Sequence, residues 1–390
     1  MTFRKNIHFD DPYNKMINIF QPSLGDEEID AIREVFESNW VGRGKKTEEF
    51  EQLISQKIQT SCDNVLTTTS YTEGIFQILE YLDFPIGSEV ILPSISFVGT
   101  ANAIIHYKLE TIFCDVNIRT LNPSVRDIEE KISDKTRAII LIHYGGVPCD
   151  DMDEIIKLCE DKNIVLIEDN ACSPFSTYKD KNTGTLGDFG IWSFDSMKIL
   201  VTGDGGLVFS KSKHEISILR ERMCLGLEFS PGMSGSVKKD WWEFDISYEG
   251  RRSIMNDITS AIGICQLNKV SNFIEKRKNV HNTYNRMLSK LDWLSVPNKF
   301  SNDVTSSYFL YWIQLENKNV RDRLALHLKD NNIYTTFKYY PLHKIKYYDK
   351  KYSLPKSEVI SNITLCLPIH QGLKELEVNK IVNTLRSFKI

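Results

Sequence analysis

Between residues 64 and 210 the chain repeats one pattern, in which a short apolar run is followed by an amphipathic stretch and then by another apolar run. The runs are NVLTTT, EVILP, TIFCDV, RAIILIHY, IVLIED, GIWSF and GGLVFS, and most lack any alternation of apolar with polar residues. A strand with one face in water alternates, whereas a strand covered on both faces does not. The stretches between them, at 71–83, 97–107, 124–132 and 151–161, predict helical crossovers. The chain is thereby confined to the α/β class, with a mostly parallel, seven-stranded sheet flanked by helices. Ligands of such sheets bind at the carboxyl ends of the strands.

The flanks are organised differently. Asp26 to Ser38 carries Ile29, Ile32, Val35 and Phe36 at helical spacing, and Thr47 opens a second helical pattern, so the chain begins with an arm. A loop rich in Ser, Gly, Trp and Lys (229–242) precedes a long helical pattern at about 257–289. Beyond 305 follow a strand (SYFLYWIQL), a helix (321–330), a strand (IYTTFKYY) and a helix from Leu373 to Phe388. These segments predict an N-terminal arm and large domain over 1–255, then a linking helix and a smaller α+β domain over 256–390. The charged run KDKNTG at 179–184 is expected as a solvated hairpin.

Composition removes several functions. With 48 Lys+Arg against 52 Asp+Glu the net charge is −4, which argues against a nucleic-acid partner that would need a basic face. No apolar run approaches the roughly 18 residues of a membrane helix, and MTFRKNIHFDDPYNKM lacks the apolar core of a secretion signal. The eight cysteines include no Cys-x-x-Cys pair and are expected as buried free thiols in a reducing cytoplasm. The eight histidines show no zinc spacing, so no metal is expected, and there is no G-x-S-x-G elbow.

The chemistry concentrates in IEDNACSPFSTYKDKNTGTLGDFGIWSFDSMKILVTGDGG at 167–206. Asp169 closes the strand IVLIED and reads either as a carboxylate projecting into the crevice or as a helix-capping acid. Lys198, flanked by Met197 and Ile199, is either a surface lysine or an amine whose desolvation makes it nucleophilic. The glycines of TGDGG precede a strand instead of opening a helix, which suits a tight turn after Lys198 and not a dinucleotide loop. In TTTSYTEGIFQIL a strand runs into a helix at Ser70, Tyr71 and Thr72, offering either a phosphate site at the helix start or simple capping by Ser70 or Thr72. Phe97, just past another strand end, either stacks on a planar ring or packs in the core. A lysine, an acid, a phosphate-binding helix start and an aromatic ring form the set that pyridoxal 5′-phosphate (PLP) requires.

With these residues in view, the chain resembles the DegT/DnrJ/StrS family of sugar aminotransferases, a branch of the fold-type I PLP enzymes. The similarity runs through GRGKKTEEFE (42–51), GSEVILPSISFVGTANAI (87–104), GVPCDDMDEI (146–155), IEDNA (167–171), GDFGIWSFDSMK (187–198), MNDITSAIGICQL (255–267), YPLH (340–343) and LPIHQGL (367–373). The resemblance implies that Lys198 bonds the PLP aldehyde, that Asp169 pairs with the pyridine nitrogen, that Ser193, Tyr71 and Thr72 hold the phosphate, and that Phe97 lies over the ring. It implies a homodimer whose sites borrow from the partner subunit through EGRRSIMND.

Three departures from the family's pattern stand out. Cys172 stands where many relatives carry Gln or His near the phenolic oxygen of the cofactor. Arg251, Arg252, Ser253 and Ile254 replace Tyr-Asn-Tyr-Arg, so that Arg252 takes the place of an asparagine near the neighbouring phosphate. Tyr71 occupies a place usually given to a small residue. The implied activity is a ping-pong amino transfer by way of pyridoxamine 5′-phosphate, with Lys198 as nucleophile and general base, glutamate or glutamine as donor, and a nucleotide-linked keto sugar as acceptor. The departures leave a small phosphorylated ketone as an alternative acceptor, and a PLP-dependent sugar dehydratase is the rival on the same scaffold. Arg43, Lys45, Lys46, Arg251 and Arg252 are candidate cations for a diphosphate or members of a solvated face. His343 and His370 either approach the site or make structural hydrogen bonds.

Overall fold

The computed structural model describes residues 16–227, 245–348 and 353–390. Two helices open it, α1 (Asp26–Glu37) and α2 (Lys45–Lys57). Every apolar run of the repeated pattern then forms a strand: β1 (Val65–Thr68), β2 (Glu89–Pro93), β3 (Glu110–Cys114), β4 (Thr136–Ile142) and β5 (Val165–Asp169). A small hairpin, β6 (Thr177–Tyr178) and β7 (Lys181–Asn182), accounts for the charged run at 179–184 and precedes β8 (Phe189–Ser193) and β9 (Gly206–Ser210).

Seven strands make one sheet in the order β1-β9-β8-β5-β4-β2-β3. The five from β8 to β3 run parallel, and β9 is antiparallel to both its neighbours. Successive residues serve opposite apolar layers, which explains the missing alternation. Ile91, Ile139 and Leu141 enter one core, while Val90, Leu92, Ala138 and Ile140 enter the other. Burying each Ile, Leu or Val contributes roughly 1.5–3 kcal/mol, so every position of β4 except exposed Arg137 favours a central strand.

The crossovers are α3 (Tyr71–Leu82), α4 (Val98–His106), α5 (Val125–Glu129) and α6 (Met152–Lys162), and α7 (Lys213–Arg222) follows the sheet. The long pattern is a single 32-residue helix, α8 (Asp257–Leu288). Its first residue ties it to the arm, because the Asp257 carboxylate accepts N–H groups of Gly44 (2.8 Å), Lys46 (3.2 Å) and Thr47 (3.0 Å) at the start of α2. A negative charge there complements the helix dipole. The far end of α8 contributes Val280, Tyr284 and Leu288 to a third core.

That core belongs to a second sheet. β10 (Leu294–Ser295), β12 (Tyr311–Leu315) and β13 (Thr364–Leu367) form it, while β11 (Val304–Thr305) pairs with β6. It is packed by α9 (Lys318–Asp330), α10 (Pro355–Ile363) and α11 (Glu375–Ser387). One expected strand is corrected here. IYTTFKYY at 333–340 forms no ladder: Ile333 and Thr336 make isolated bridges to Ile17 and Cys366, and the third strand comes from TLCL.

All eight cysteines are free, but Cys62, Cys224 and Cys265 are half-buried and not fully enclosed. The expected loop at 229–242 and the N-terminal stretch through residue 15 lie outside the described residues. No described helix is long and apolar enough to cross a membrane.

Candidate active site

Strands β5 and β8 are parallel neighbours, so their final residues, Asp169 and Ser193, emerge at the same edge of the sheet. Against this edge lies a cavity of about 210 Å³. Seven of the eight residues singled out in the sequence line it: Lys198, Asp169, Ser193, Tyr71, Thr72, Phe97 and Cys172. Arg252 does not. It is exposed, and its backbone pairs with Cys224.

Asp169 is the buried acid of the cavity, 1% exposed. Its Oδ1 accepts the Ala171 N–H at 3.0 Å and its Oδ2 accepts the Tyr71 hydroxyl at 2.8 Å. Burial pushes the carboxyl above its ordinary range, opposed by those two hydrogen bonds and by the charge of Lys198. Helix capping is thereby answered in favour of a crevice carboxylate.

The start of α3 forms one wall. Ser70 is the cap, its hydroxyl accepting the Glu73 N–H at 3.1 Å. The first-turn N–H groups of Tyr71 and Thr72 have no intrahelical acceptor, as at any helix start, and are available to an anion. The side chain of Tyr71 is committed elsewhere, a correction to the expectation that it holds a phosphate. Its hydroxyl is turned onto Asp169, so only its backbone N–H remains for that task. A Cβ on Gly206 would stand 2.7 Å from Tyr71 N, so glycine is what lets β9 approach the helix start.

Lys198 follows β8 in a turn closed by its own N–H to Asp195 O (2.9 Å). The Asp195–Gly203 bridge then returns the chain to β9, with Gly203 at φ +94° as a tight turn demands. Lys198 Nζ lies 5.2 Å from the Phe309 ring centroid, and that ring stacks on Phe20 at 5.1 Å. The ammonium is partly enclosed rather than held in bulk water.

Among the cavity residues not singled out in the sequence are Lys338 and Tyr339. Tyr339 Oη is 3.5 Å from Cys172 Sγ, and its ring is 5.9 Å from that of Phe97. Phe97 is 45% exposed, so core packing is not its role. Lys338 Nζ sits 4.2 Å from the Phe20 ring centroid, and among the described residues no carboxylate lies within ion-pair reach of it. Burial, and secondarily repulsion from Lys198, lower its pKa. The signal that could have found Lys338 is a lone cation within the aromatic run FKYY.

Another missed residue sits behind the cavity. Glu168 is fully buried and accepts N–H groups from Gly184 (2.8 Å), Leu186 (2.7 Å) and Gly187 (2.7 Å), and it meets His143 Nε2 at 2.9 Å. It pins the loop that leads into β8, and so fixes where Ser193 and Lys198 emerge.

The cations offered for a diphosphate do not line this cavity. Arg43 makes a bidentate pair with buried Glu51 (2.9 and 2.7 Å), Lys46 pairs with Glu34 (3.0 Å), and Arg251 spans Glu73 (3.2 Å) and Glu80 (3.0 Å). Lys45 is exposed. His343 bonds Ser94 Oγ at 2.6 Å and His370 accepts the Gly372 N–H at 3.2 Å, both structural contacts away from the cavity.

The chemistry of this donor set fits PLP. A primary amine (Lys198) can bond an aldehyde, and a buried carboxylate (Asp169) can meet a pyridinium nitrogen. Free N–H groups and the hydroxyls of Thr72 and Ser193 can take a phosphate, while Phe97 offers a face for the ring.

Comparison with known proteins gives the same direction. The model of the DegT/DnrJ/EryC1/StrS aminotransferase family matches residues 22–386. The chain is 39% identical over 369 residues to a dTDP-4-dehydro-2,3,6-trideoxy-D-glucose 4-aminotransferase of Saccharopolyspora spinosa, covering 94% of this chain and 95% of the relative. It is 32% identical to a GDP-perosamine synthase of Escherichia coli O157:H7, covering 96% and 99% respectively. Among solved structures, the aminotransferase TlmJ from Streptoalloteichus hindustanus superposes with a TM-score of 0.90 at 41% identity, covering 95% of this chain and 98% of that one.

Proposed function

The chain belongs to the DegT/DnrJ/EryC1/StrS aminotransferase family, and on that premise we propose that it transfers an amino group from glutamate or glutamine to a 4-keto sugar carried on a nucleoside diphosphate. It is a PLP-dependent aminotransferase. The single observation that carries the reading is the meeting of Lys198, Asp169 and the start of α3 in one cavity at the strand ends. The nucleotide-sugar acceptor is supported by the names of relatives that match nearly end to end.

PLP, when bound, supplies an aldehyde for the amine and a ring that takes up the electrons released at the substrate carbon. The protein does the rest. Lys198 would hold the cofactor through its amine, and the same amine, when free, would be the base that carries the proton away from the substrate carbon and returns it. Asp169, ionised, keeps the ring nitrogen protonated. The N–H groups of Tyr71 and Thr72, with Ser193, hold the phosphate end at the positive end of α3. Lys338, a cation without a carboxylate partner among the described residues, receives the carboxylate of the amino donor.

Two further features of the reading concern assembly. We take the molecule as two units, 1–255 and 256–390, with Lys338 and Tyr339 brought to the cavity by the second. We also take it as a cytoplasmic homodimer, the assembly that the family resemblance implies, with Val98 and Met197 as exposed apolar side chains available to a partner subunit. Arg252 then serves the partner's phosphate. The amino sugar formed would enter a surface polysaccharide such as lipopolysaccharide or capsule. The reading is tested by mass spectrometry of products after incubation with nucleotide-linked 3-keto and 4-keto sugars and either donor. A gain of one amino group on a nucleotide-linked 4-keto sugar is expected, and amination only of small phosphorylated ketones would overturn it.

A further inference from the structure

At the floor of the cavity, Tyr71 stands between two partners. Its hydroxyl is 2.8 Å from Asp169 Oδ2 and 2.8 Å from Thr100 Oγ1 on α4. All three side chains are buried, with Tyr71 at 5%, Thr100 at 0% and Asp169 at 1% exposure. The directions of these bonds follow from chemistry. An ionised carboxylate only accepts, so Tyr71 donates to Asp169, and the Thr100 hydroxyl donates to the Tyr71 oxygen. Tyr71 cannot itself give up its proton, because burial and the Asp169 charge push the phenol far above its usual range.

We propose that Tyr71 is a positioning residue that, through its hydrogen bond, keeps Asp169 an acceptor for the cofactor ring, so that the ring meets a carboxylate and not a carboxylic acid. Among the described residues, the titratable groups facing Asp169 are Tyr71 from α3, Lys198 after β8, His143 after β4, Cys172 after β5 and Tyr339 from the second unit. Of these, Tyr71 is the side chain that holds a hydrogen bond to the carboxylate. Burial alone drives the acid toward its neutral form, and a donated hydrogen bond opposes this because it favours the charged state. A protonated Asp169 cannot accept a pyridinium N–H without first losing its own proton, so without Tyr71 cofactor binding weakens as the pH falls.

The inference rests on the cavity being the PLP site, and a probe that cannot react with Lys198 isolates it. 4′-Deoxypyridoxine 5′-phosphate has the ring nitrogen and phosphate of PLP but no aldehyde. Its dissociation constant is measured by calorimetry on the cofactor-free full-length protein and on Y71F between pH 6 and pH 8.5. The ratio of variant to wild type is expected to rise as the pH falls, from within about threefold at pH 8.5 to about tenfold or more at pH 6. A ratio that is constant across the range would overturn the proposal, since lost packing alone does not depend on pH. T100V keeps the ring of Tyr71 and removes the hydroxyl that orients it. It should shift the ratio the same way by a smaller factor, and a flat ratio there would count against the proposal even if Y71F does not fold. Failure of the wild-type protein to bind the probe at any pH would instead remove the cofactor site itself.

Discussion

His143 Nε2 meets Glu168 Oε2 at 2.9 Å with both side chains fully buried, directly behind the cavity that holds Asp169. Nδ1 of the same ring accepts the Cys149 N–H at 3.2 Å, which leaves the hydrogen on Nε2 to be donated to the carboxylate. Glu168 therefore receives four donors, three of them backbone N–H groups of the loop entering β8.

E168Q turns one of those acceptor oxygens into a donor, and two N–H groups then face no acceptor. At about 1–3 kcal/mol for each unsatisfied buried group, the variant should lose roughly 2–6 kcal/mol. Denaturant unfolding checks this through a fall in midpoint at unchanged slope. An unchanged midpoint would mean that the loop is held by other contacts.

The Arg43–Glu51 pair sets an acid limit on the fold. Burial raises the Glu51 carboxyl, but the hydrogen bond and charge of Arg43, with Arg220 beside it, outweigh this and hold it below its ordinary value of 4.5. A folded pKa below the unfolded one means that stability is fully present above pH 4.5 and is lost as pH falls through the folded value. Thermal unfolding followed from pH 7 to pH 3 should show this loss in the wild type. E51Q starts less stable, by about 3–5 kcal/mol for a broken buried pair, and its curve should be flatter over that acid interval.

Lys338 carries the prediction for the donor. K338M removes the charge and keeps most of the stem, so PLP retention should be unchanged while KM for glutamate rises about tenfold or more, the worth of a charge-assisted hydrogen bond of about 1.5–3 kcal/mol. Its lowered pKa adds a pH signature. Donor affinity in the wild type should fall as pH rises through that value, and K338M should lack this limb. An unchanged KM would assign the lysine to another ligand.

What was legible in the sequence was what depended on local pattern. β2 and β5 match EVILP and IVLIED to within one residue because buried parallel strands have no solvent face to disguise them. IYTTFKYY misled because its β-branched and aromatic residues are strand-like in isolation, whereas it is the neighbouring TLCL, only four residues long, that completes the sheet. The site was legible where a residue closes a strand, as Asp169 and Ser193 do. The hydroxyl of Tyr71 bonds an acid 98 positions away, and Lys338 reaches the cavity from a segment bridged to the second sheet. Neither direction is encoded in spacing.

The central claim is that the Lys198 amine, and not the second cavity lysine, bonds the cofactor. Holoenzyme reduced with sodium borohydride and digested should yield one peptide carrying the mass of reduced PLP, on Lys198, and K198A should yield none while remaining folded. Label on Lys338 or on any other lysine in the wild-type protein, or no label in protein shown to contain PLP, would contradict the account.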